Sequence, residues 1–193
     1  RQIRMIRLIR RREILRTALG ETAGVTDLDD VMKGLSDADQ ATILGALHTA
    51  ERELYQEKGE EVLTDVAVIG MGRQGGAEIG YGSDADVMYV HQPREGADEG
   101  QAVAQANALI SRTTQLLKIP MKPAIRAEKA LEIDADLRPE GKSGPMVRTL
   151  DSYAEYYARW ADTWEYQALL RARPLAGSAE VADKFIRLID PYR

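Results

Sequence analysis

Residues 64–91, TDVAVIGMGRQGGAEIGYGSDADVMYVH, decide how the rest of the chain is interpreted. Residues 66–69 have the length and β-branched content of a buried strand. They end in Gly70-Met71-Gly72, where a backbone can turn sharply and come close to a ligand. After this turn we expect residues 75–79 to form one or two helical turns whose free N–H groups point at an anion. The stretch therefore predicts a phosphate cradle at the end of a strand.

Two aspartates follow the glycines. Residues 84–90 predict a second strand, and because side chains alternate along a strand, Asp84 and Asp86 are expected on one face. Two carboxylates 4 Å apart repel each other by roughly 1–4 kcal/mol, depending on the effective dielectric. Such a pair is more stable beside a cation, so we predict a metal site of paired carboxylates opposite the phosphate cradle.

Two other interpretations of the same residues are open. Residues 70–75 satisfy the dinucleotide fingerprint G-x-G-x-x-G, but that fold places its ribose-binding acid about 20 residues further on, at the end of a second strand. Asp84 comes too early and precedes its strand. The remaining alternative is structural, with the glycines in a tight turn and the aspartates as caps. We favour the metal and phosphate site over both.

The composition argues against several classes of protein. A net charge of −5 argues against a nucleic-acid substrate, which needs clustered Lys and Arg. There is no cysteine and there are only two histidines, so any metal is expected to have oxygen ligands. No apolar run reaches the length of a membrane span. The chain begins with Arg1 and has no evident helix stop before Arg193, so we expect a piece of a longer protein.

The chain is predicted to have two parts. Residues 1–60 form a helical lead-in, with an Arg-rich helix over residues 1–19 that ends at Gly20 and further helix starts at Thr26 and Ser36. We expect the first helix to pack its apolar stripe on a neighbouring domain rather than bind a membrane or nucleic acid. His48 is expected to be a packing residue. Residues 61–193 form an α+β domain with a small mixed sheet flanked by helices.

The second part contains further predicted elements. A polar loop is expected over residues 91–100, a helix over 101–117, a solvated loop or strand edge around 126–129, and a last helix over 179–189. From residue 152 the pattern is helical, and its aromatic stripe, which includes Trp160 and Trp164, is expected in the core. Residues 131–137 predict a strand with Asp134 and Asp136 on one face. The pattern alone does not choose between these two acids.

Three motifs carry a family resemblance. The glycine turn followed by Ser-Asp-x-Asp resembles the active-site signature of the DNA polymerase β-type nucleotidyltransferase superfamily. The longer motif GRxGGxExGYGSDxD over residues 72–86 is narrower and resembles the glutamine synthetase adenylyltransferase/adenylyl-removing enzyme family in its actinobacterial form. The segments IDxxLRP, residues 133–139, and WEYQALLRAR, residues 164–173, match the same family. Ala85 stands where many relatives have Leu or Ile. This difference affects packing and no catalytic role.

The resemblance implies a polymerase β-like nucleotidyltransferase fold and a role for each site residue. Asp84, Asp86 and Asp134 are implied as ligands of two Mg²⁺ ions, with Asp134 chosen over Asp136 by the family motif. ATP is the implied substrate. The residues expected to hold its phosphates, or to offset charge in the transition state, are Gly72, Arg73, Gly75, Gly76, Ser83, Arg138 and Arg171. Arg171 is equally compatible with an ion pair to an acid, and Lys142 is a weaker phosphate candidate.

The family carries out two opposite reactions in two catalytic halves. One half moves AMP from ATP to a tyrosine of glutamine synthetase, and the other removes it by phosphorolysis to ADP. Residues 80–86 and 185–192 look more like the second, adenylylating half. A non-catalytic nucleotide-binding regulatory module is the further alternative. The resemblance also implies a cytoplasmic enzyme of nitrogen metabolism, a monomeric piece, and control by a PII-type signalling protein through the full-length enzyme.

Overall fold

The computed structural model describes residues 2–124 and 130–193. Its centre is a small mixed sheet in the order β3-β2-β1-β5, with β4 pairing the same edge of β2 as β3. The strands are β1 (Thr64–Gly70), β2 (Ala85–Pro93), β3 (Ile133–Asp134), β4 (Val147–Thr149) and β5 (Arg173–Gly177). β1 is antiparallel to β2 and β5, whereas β3 and β4 are parallel to β2. The predicted α+β class with a small mixed sheet is confirmed.

Helices cover both faces of this sheet. They are α1 (Gln2–Thr22), α2 (Leu28–Glu51), α3 (Gly72–Gly75), α4 (Glu99–Lys118), α5 (Leu150–Arg159), α6 (Thr163–Leu169) and α7 (Ala179–Ile189). A π-helical segment, Arg52–Glu57, extends α2, and single 3-10 turns occur at Gly141–Ser143 and Asp190–Tyr192. The predicted helices over residues 101–117 and 179–189 are therefore confirmed as α4 and α7. The predicted loop or strand edge around 126–129 lies outside the described residues, as does Arg1.

Strand alternation divides the core into two apolar clusters. Val66 and Val68 of β1 pack with α2 and α4 on one face, and Ala67 and Ile69 pack with α5, α6 and α7 on the other. The second cluster contains the T-shaped ring pair Tyr153 and Phe185. β1 is thus buried on both sides, which explains its continuous apolar sequence.

The N-terminal helices share the core of the sheet. Ile3 of α1 and Leu47 of α2 belong to the same buried cluster as Val66 of β1. A boundary at residue 60 stays a prediction, but these contacts show that the helical segment packs directly on the sheet. No helix in the two described ranges is long and apolar enough to cross a membrane.

Several local predictions were wrong, and each has a structural reason. α1 continues through Gly20 to Thr22, and the chain turns at Gly24, whose positive φ of 67° suits glycine. Ser36 does not start a helix but lies inside α2, where its hydroxyl donates to the Met32 carbonyl. Asp27, not Thr26, caps α2 by accepting from the Asp30 N–H.

Other corrections concern exposure and strand length. β2 continues through His91 to Pro93, so the predicted loop begins later than expected. Trp160 and Trp164 are 71% and 47% exposed because a break between α5 and α6 interrupts the predicted aromatic stripe. His48 was expected to pack but is exposed on α2.

Candidate active site

The centre of the candidate site is a pair of carboxylates on neighbouring strands. β2 and β3 run parallel with Asp86 directly opposite Asp134, and Ala85 opposite Ile133. Ile133 packs against the same apolar cluster as Ala85, which leaves Asp86 and Asp134 on the opposite face. The pairing therefore brings two of the three predicted metal ligands, Asp86 and Asp134, side by side at the edge of the sheet.

The glycine turn, residues 70–76, lies against this pair. The Met71 N–H donates to the Asp86 carbonyl at 2.8 Å, which joins the end of β1 to the start of β2. Gly72 has a φ of 50°, and a Cβ built on it would lie 2.4 Å from Oδ2 of Asp86. Glycine is required here for two reasons, since a side chain would both strain the backbone and collide with the carboxylate.

The electrostatics of the pair are unfavourable when both acids are ionised. Burial raises the pKa of Asp86, and the negative charges of Asp134 and Asp84 raise it further, while Arg73 acts in the opposite direction. Desolvation and like charges both disfavour an ionised carboxylate. A cation bound between these acids would offset the repulsion between their negative charges and lower the pKa of Asp86.

Asp84 and Ser83 lie in the turn that leads into β2. The Ser83 N–H donates to the Gly80 carbonyl at 3.1 Å, and Asp84 is exposed just before the strand begins. In the two described ranges, no group of three or more His, Cys, Asp or Glu side chains is placed to hold a metal. The three-carboxylate site therefore stays a prediction. Mg²⁺ commonly uses one or two carboxylates together with substrate phosphates and water, which fits the oxygen donors of Asp86 and Asp134.

The helical turn begins earlier than the sequence predicted. We expected it at residues 75–79, but α3 comprises Gly72–Gly75. The N–H groups of Gly75 and Gly76 donate to the Met71 and Gly72 carbonyls at 2.7 and 3.1 Å, so both are engaged within the turn. The amides at the start of α3, those of Gly72 and Arg73, have no acceptor within the helix.

Arg138 does not form an ion pair with Asp86 or Asp134 in the described residues. It is only 6% exposed, and its guanidinium donates to three carbonyls of the turn after β3, those of Ala135, Lys142 and Gly144. This placement does not support its predicted role in offsetting transition-state charge. The residue instead stabilises the turn that follows Asp134.

Asp136 was expected on the same strand face as Asp134, which is wrong. β3 contains only Ile133 and Asp134, because Oδ1 of Asp134 accepts the Asp136 N–H at 2.7 Å and the chain turns there. The Asp136 carboxylate then pairs with Lys142 at 3.1 Å and with Arg138 at 3.6 Å. The structure thus pairs Asp134, and not Asp136, with Asp86.

Arg171 lies beside the glycine turn and pairs with an acid. Its Nη1 donates to Oε2 of Glu78 at 2.6 Å, and the aliphatic part of its side chain would be 3.4 Å from a Cβ at Gly76. Of the two roles that the sequence left open for Arg171, the structure contains the ion pair. Lys142, the weaker phosphate candidate, is engaged by Asp136.

Sequence reasoning missed three residues that hold the glycine turn in place. Arg173 donates to the carbonyls of Gln74 and Gly75. Gln74 is fully buried and donates to the Ser36 carbonyl of α2 at 3.2 Å. The Ser36 hydroxyl accepts the Ile79 N–H at 3.1 Å. Of these three residues, only Arg173 had a signal in the sequence, because it belongs to the family segment over residues 164–173.

The fold and the site together define an α+β protein with paired carboxylates beside a glycine turn. Residues 1–188 match the family model described as glutamate-ammonia ligase adenylyltransferase. The bifunctional glutamine synthetase adenylyltransferase/adenylyl-removing enzyme of Streptomyces avermitilis is 50% identical over 201 residues, which cover 97% of this chain and 19% of that protein. The proteins of the same name from Streptomyces coelicolor and Mycobacterium tuberculosis are 46% and 43% identical. They cover 97% and 100% of this chain, respectively, and each match covers 19% of the relative.

The chain therefore belongs to the glutamate-ammonia ligase adenylyltransferase family. The resemblance drawn from the three sequence motifs is confirmed over the whole chain. The chain spans about a fifth of the length of the curated relatives it matches.

Proposed function

We propose that this chain is a Mg²⁺-dependent adenylyltransferase unit with a polymerase β-like nucleotidyltransferase fold. It moves AMP from ATP to a tyrosine hydroxyl of glutamine synthetase and releases pyrophosphate. The observation that carries the proposal is the register pairing of Asp86 with Asp134, with Gly72 packed against Oδ2 of Asp86. The acceptor is taken from the names of the relatives, all of which refer to glutamine synthetase.

Each residue then has a defined task. Asp86 and Asp134 hold the cation, and Asp84 approaches as a third ligand from the turn before β2. Bound Mg²⁺ would lower the pKa of the attacking hydroxyl and neutralise charge on the triphosphate. The amides of Gly72 and Arg73 at the start of α3, together with Ser83, bind the phosphates. The Arg73 guanidinium offsets negative charge that develops as pyrophosphate leaves.

No side chain of this chain needs to act as the nucleophile. The attacking oxygen belongs to the acceptor tyrosine, its bond to the α-phosphorus forms as the bond to pyrophosphate breaks, and its proton passes to solvent. Catalysis by the chain is therefore positioning and charge neutralisation. This division of tasks explains why the site needs acids, a glycine turn and a cationic side chain.

The test is covalent transfer of label. We expect the chain, mixed with unmodified glutamine synthetase, Mg²⁺ and ATP labelled at the α-phosphate, to attach the label to the acceptor. Asp86→Asn and Asp134→Asn should each lose the transfer. The matched control is Asp136→Asn, which keeps the backbone N–H that Asp134 accepts and should remain active. If the parent chain attaches no label to a competent preparation of glutamine synthetase, the proposal is refuted.

The adenylyl-removing reaction is the second candidate, because the relatives are named for both activities. It is separated by incubating the chain with AMP-modified glutamine synthetase and phosphate and measuring ADP. Residues 80–86 and 185–192 favour the adenylylating half, so we expect little ADP. Nucleotide binding that needs no Mg²⁺, with neither reaction detected, would instead identify a regulatory module. Control by a PII-type protein remains a proposal for the longer enzyme.

A further inference from the structure

Arg173, the first residue of β5, is bonded to the glycine turn and to α2. Its Nε donates to the Gly75 carbonyl at 3.0 Å and its Nη2 to the Gln74 carbonyl at 3.1 Å. Its Nη1 donates to Oε1 of Gln40 at 2.7 Å. All three guanidinium nitrogens are thus engaged, and two of them bond the turn that lies against Asp86.

The two carbonyls belong to the peptide units that close this turn. The Gln74 carbonyl shares a planar peptide unit with the Gly75 N–H, which donates to Met71, and the Gly75 carbonyl shares one with the Gly76 N–H, which donates to Gly72. Holding a carbonyl therefore also orients the N–H of the same unit. Arg173 therefore helps to hold the turn in the conformation that places Gly72 against the Asp86 carboxylate.

The turn also packs directly on the chain that leads into β5. A Cβ at Gly75 would lie 2.0 Å from the Arg171 carbonyl oxygen, so the two backbones are already in close contact. Gln40 supports Arg173 from α2, because its Nε2 donates to the Leu175 carbonyl of β5 at 3.1 Å. Gln40 therefore bonds the guanidinium on the side away from the glycine turn, which limits its movement away from the turn.

The acceptors of Arg173 are all neutral. In the described ranges its guanidinium bonds two backbone carbonyls and one side-chain amide, and it forms no ion pair with a carboxylate. Its positive charge is therefore not cancelled locally. A fixed cation behind the turn favours a polyanion in front of it.

We infer that Arg173 is a positioning residue for the triphosphate of the nucleotide, acting through the glycine turn that it holds. This inference rests on the proposed function. It adds a residue of β5 that does not touch the substrate and a supporting residue, Gln40, from α2. It also gives the N-terminal helices a direct part in the geometry of the site.

The test compares Arg173→Gln, which removes the charge, with Arg173→Lys, which keeps the charge but loses the forked donor geometry. We expect Arg173→Gln to raise the KM for ATP by about tenfold or more and to change the KM for glutamine synthetase by less than about twofold. Arg173→Lys should fall between Arg173→Gln and the parent. The matched control is Arg159→Gln, an exposed Arg of α5 paired with Glu155, which should change neither constant.

Hydrogen exchange tests the same inference without catalysis. Residues 71–79 should exchange faster in Arg173→Gln, while β2 and α7 keep the protection of the parent. If Arg173→Gln does not fold, Gln40→Ala keeps Arg173 but removes the acceptor of its Nη1 and the bond from Gln40 to the Leu175 carbonyl, and it should show both effects in weaker form. Unchanged exchange in residues 71–79, or an equal rise of both KM values, would overturn the inference. A parent chain without AMP transfer would refute the proposed function, and the exchange measurement would still decide the role of Arg173.

Discussion

Asp86 and Asp134 are direct register partners on parallel strands, and their carboxylates share one face at the edge of the sheet. Asp86 is partly buried, and both Asp134 and Asp84 add negative charge beside it. The folded chain thus keeps like charges close together, beside a glycine whose positive φ other residues rarely adopt. Such local cost is typical of sites where a ligand supplies the missing interaction.

We predict that Asp86→Asn abolishes AMP transfer and stabilises the chain. The pKa of Asp86 is raised on folding, so the protonated form is favoured, and this contribution to stability is lost as the pH rises through the folded pKa. At neutral pH the ionised group is therefore unfavourable, and Asn relieves it. The melting temperature at pH 7 should rise by roughly 2–4 °C for each kcal/mol relieved. Asp136→Asn, which loses an ion pair instead, should show no such gain, and a lower melting temperature for Asp86→Asn would contradict the prediction.

Mg²⁺ should stabilise the parent chain in the absence of nucleotide. A cation that binds only the folded state raises the free energy of unfolding in proportion to the logarithm of its concentration once the site saturates. Thermal unfolding at increasing MgCl₂ should show this rise in the parent and lose it in Asp134→Asn. KCl at matched ionic strength is the control, because it screens the acids without binding between them. Equal stabilisation by both salts would count against the site.

Gly72→Ala should lose AMP transfer, whereas Gly24→Ala should not. Both glycines have positive φ, at 50° and 67°, so both substitutions have a similar backbone cost of roughly 1 kcal/mol. Only at Gly72 would the new Cβ meet Oδ2 of Asp86, since nothing lies within 4 Å of a Cβ at Gly24. Circular dichroism gives the folded fraction of each variant, and AMP transfer rates are then compared at equal folded fraction. This comparison separates the effect of the collision from that of backbone strain. Equal loss in both variants would show that strain alone matters.

His91 should make the chain less stable at mildly acidic pH. It is fully buried in β2, its Nδ1 contacts the Thr64 hydroxyl at 2.9 Å, and in the described ranges its Nε2 has no hydrogen-bond partner. Burial lowers the pKa of His91 below its usual 6.5. Its contribution to stability is present above the unfolded pKa and is lost as the pH falls through the folded pKa.

The measurement is the melting temperature between pH 7.5 and pH 5. His91→Gln should flatten this dependence, since the replacement cannot titrate, even if it lowers the melting temperature at pH 7.5. His48→Gln is the matched control, because His48 is exposed on α2 and should leave the parent profile unchanged. Parallel profiles for the parent and His91→Gln would refute the prediction.

Elements with a strong local pattern were predicted well. β1 was recognised from its β-branched run, and α4 and α7 from apolar residues at helical spacing, with α7 matching at both ends. Predictions failed where a residue had two possible local roles. Ser36 has the chemistry of a cap, yet packing keeps α2 continuous, and the hydroxyl bonds Met32 and Ile79 instead.

The sequence alone determined the class of fold, the glycine turn, and Asp84 and Asp86 as candidate ligands, because these depend on residues close together in the chain. The family motif had already implied Asp134 rather than Asp136, and the structure adds that Asp134 is the register partner of Asp86. Tertiary structure alone decided that Arg138 is used inside a turn and that Arg173 holds the glycines. The pairing of Asp86 with Asp134 and the contacts of Arg173 join residues far apart in the chain, so strand register and the packing of β5 set them. The contacts of Arg138 depend on how the chain turns after β3, and local spacing does not predict that turn.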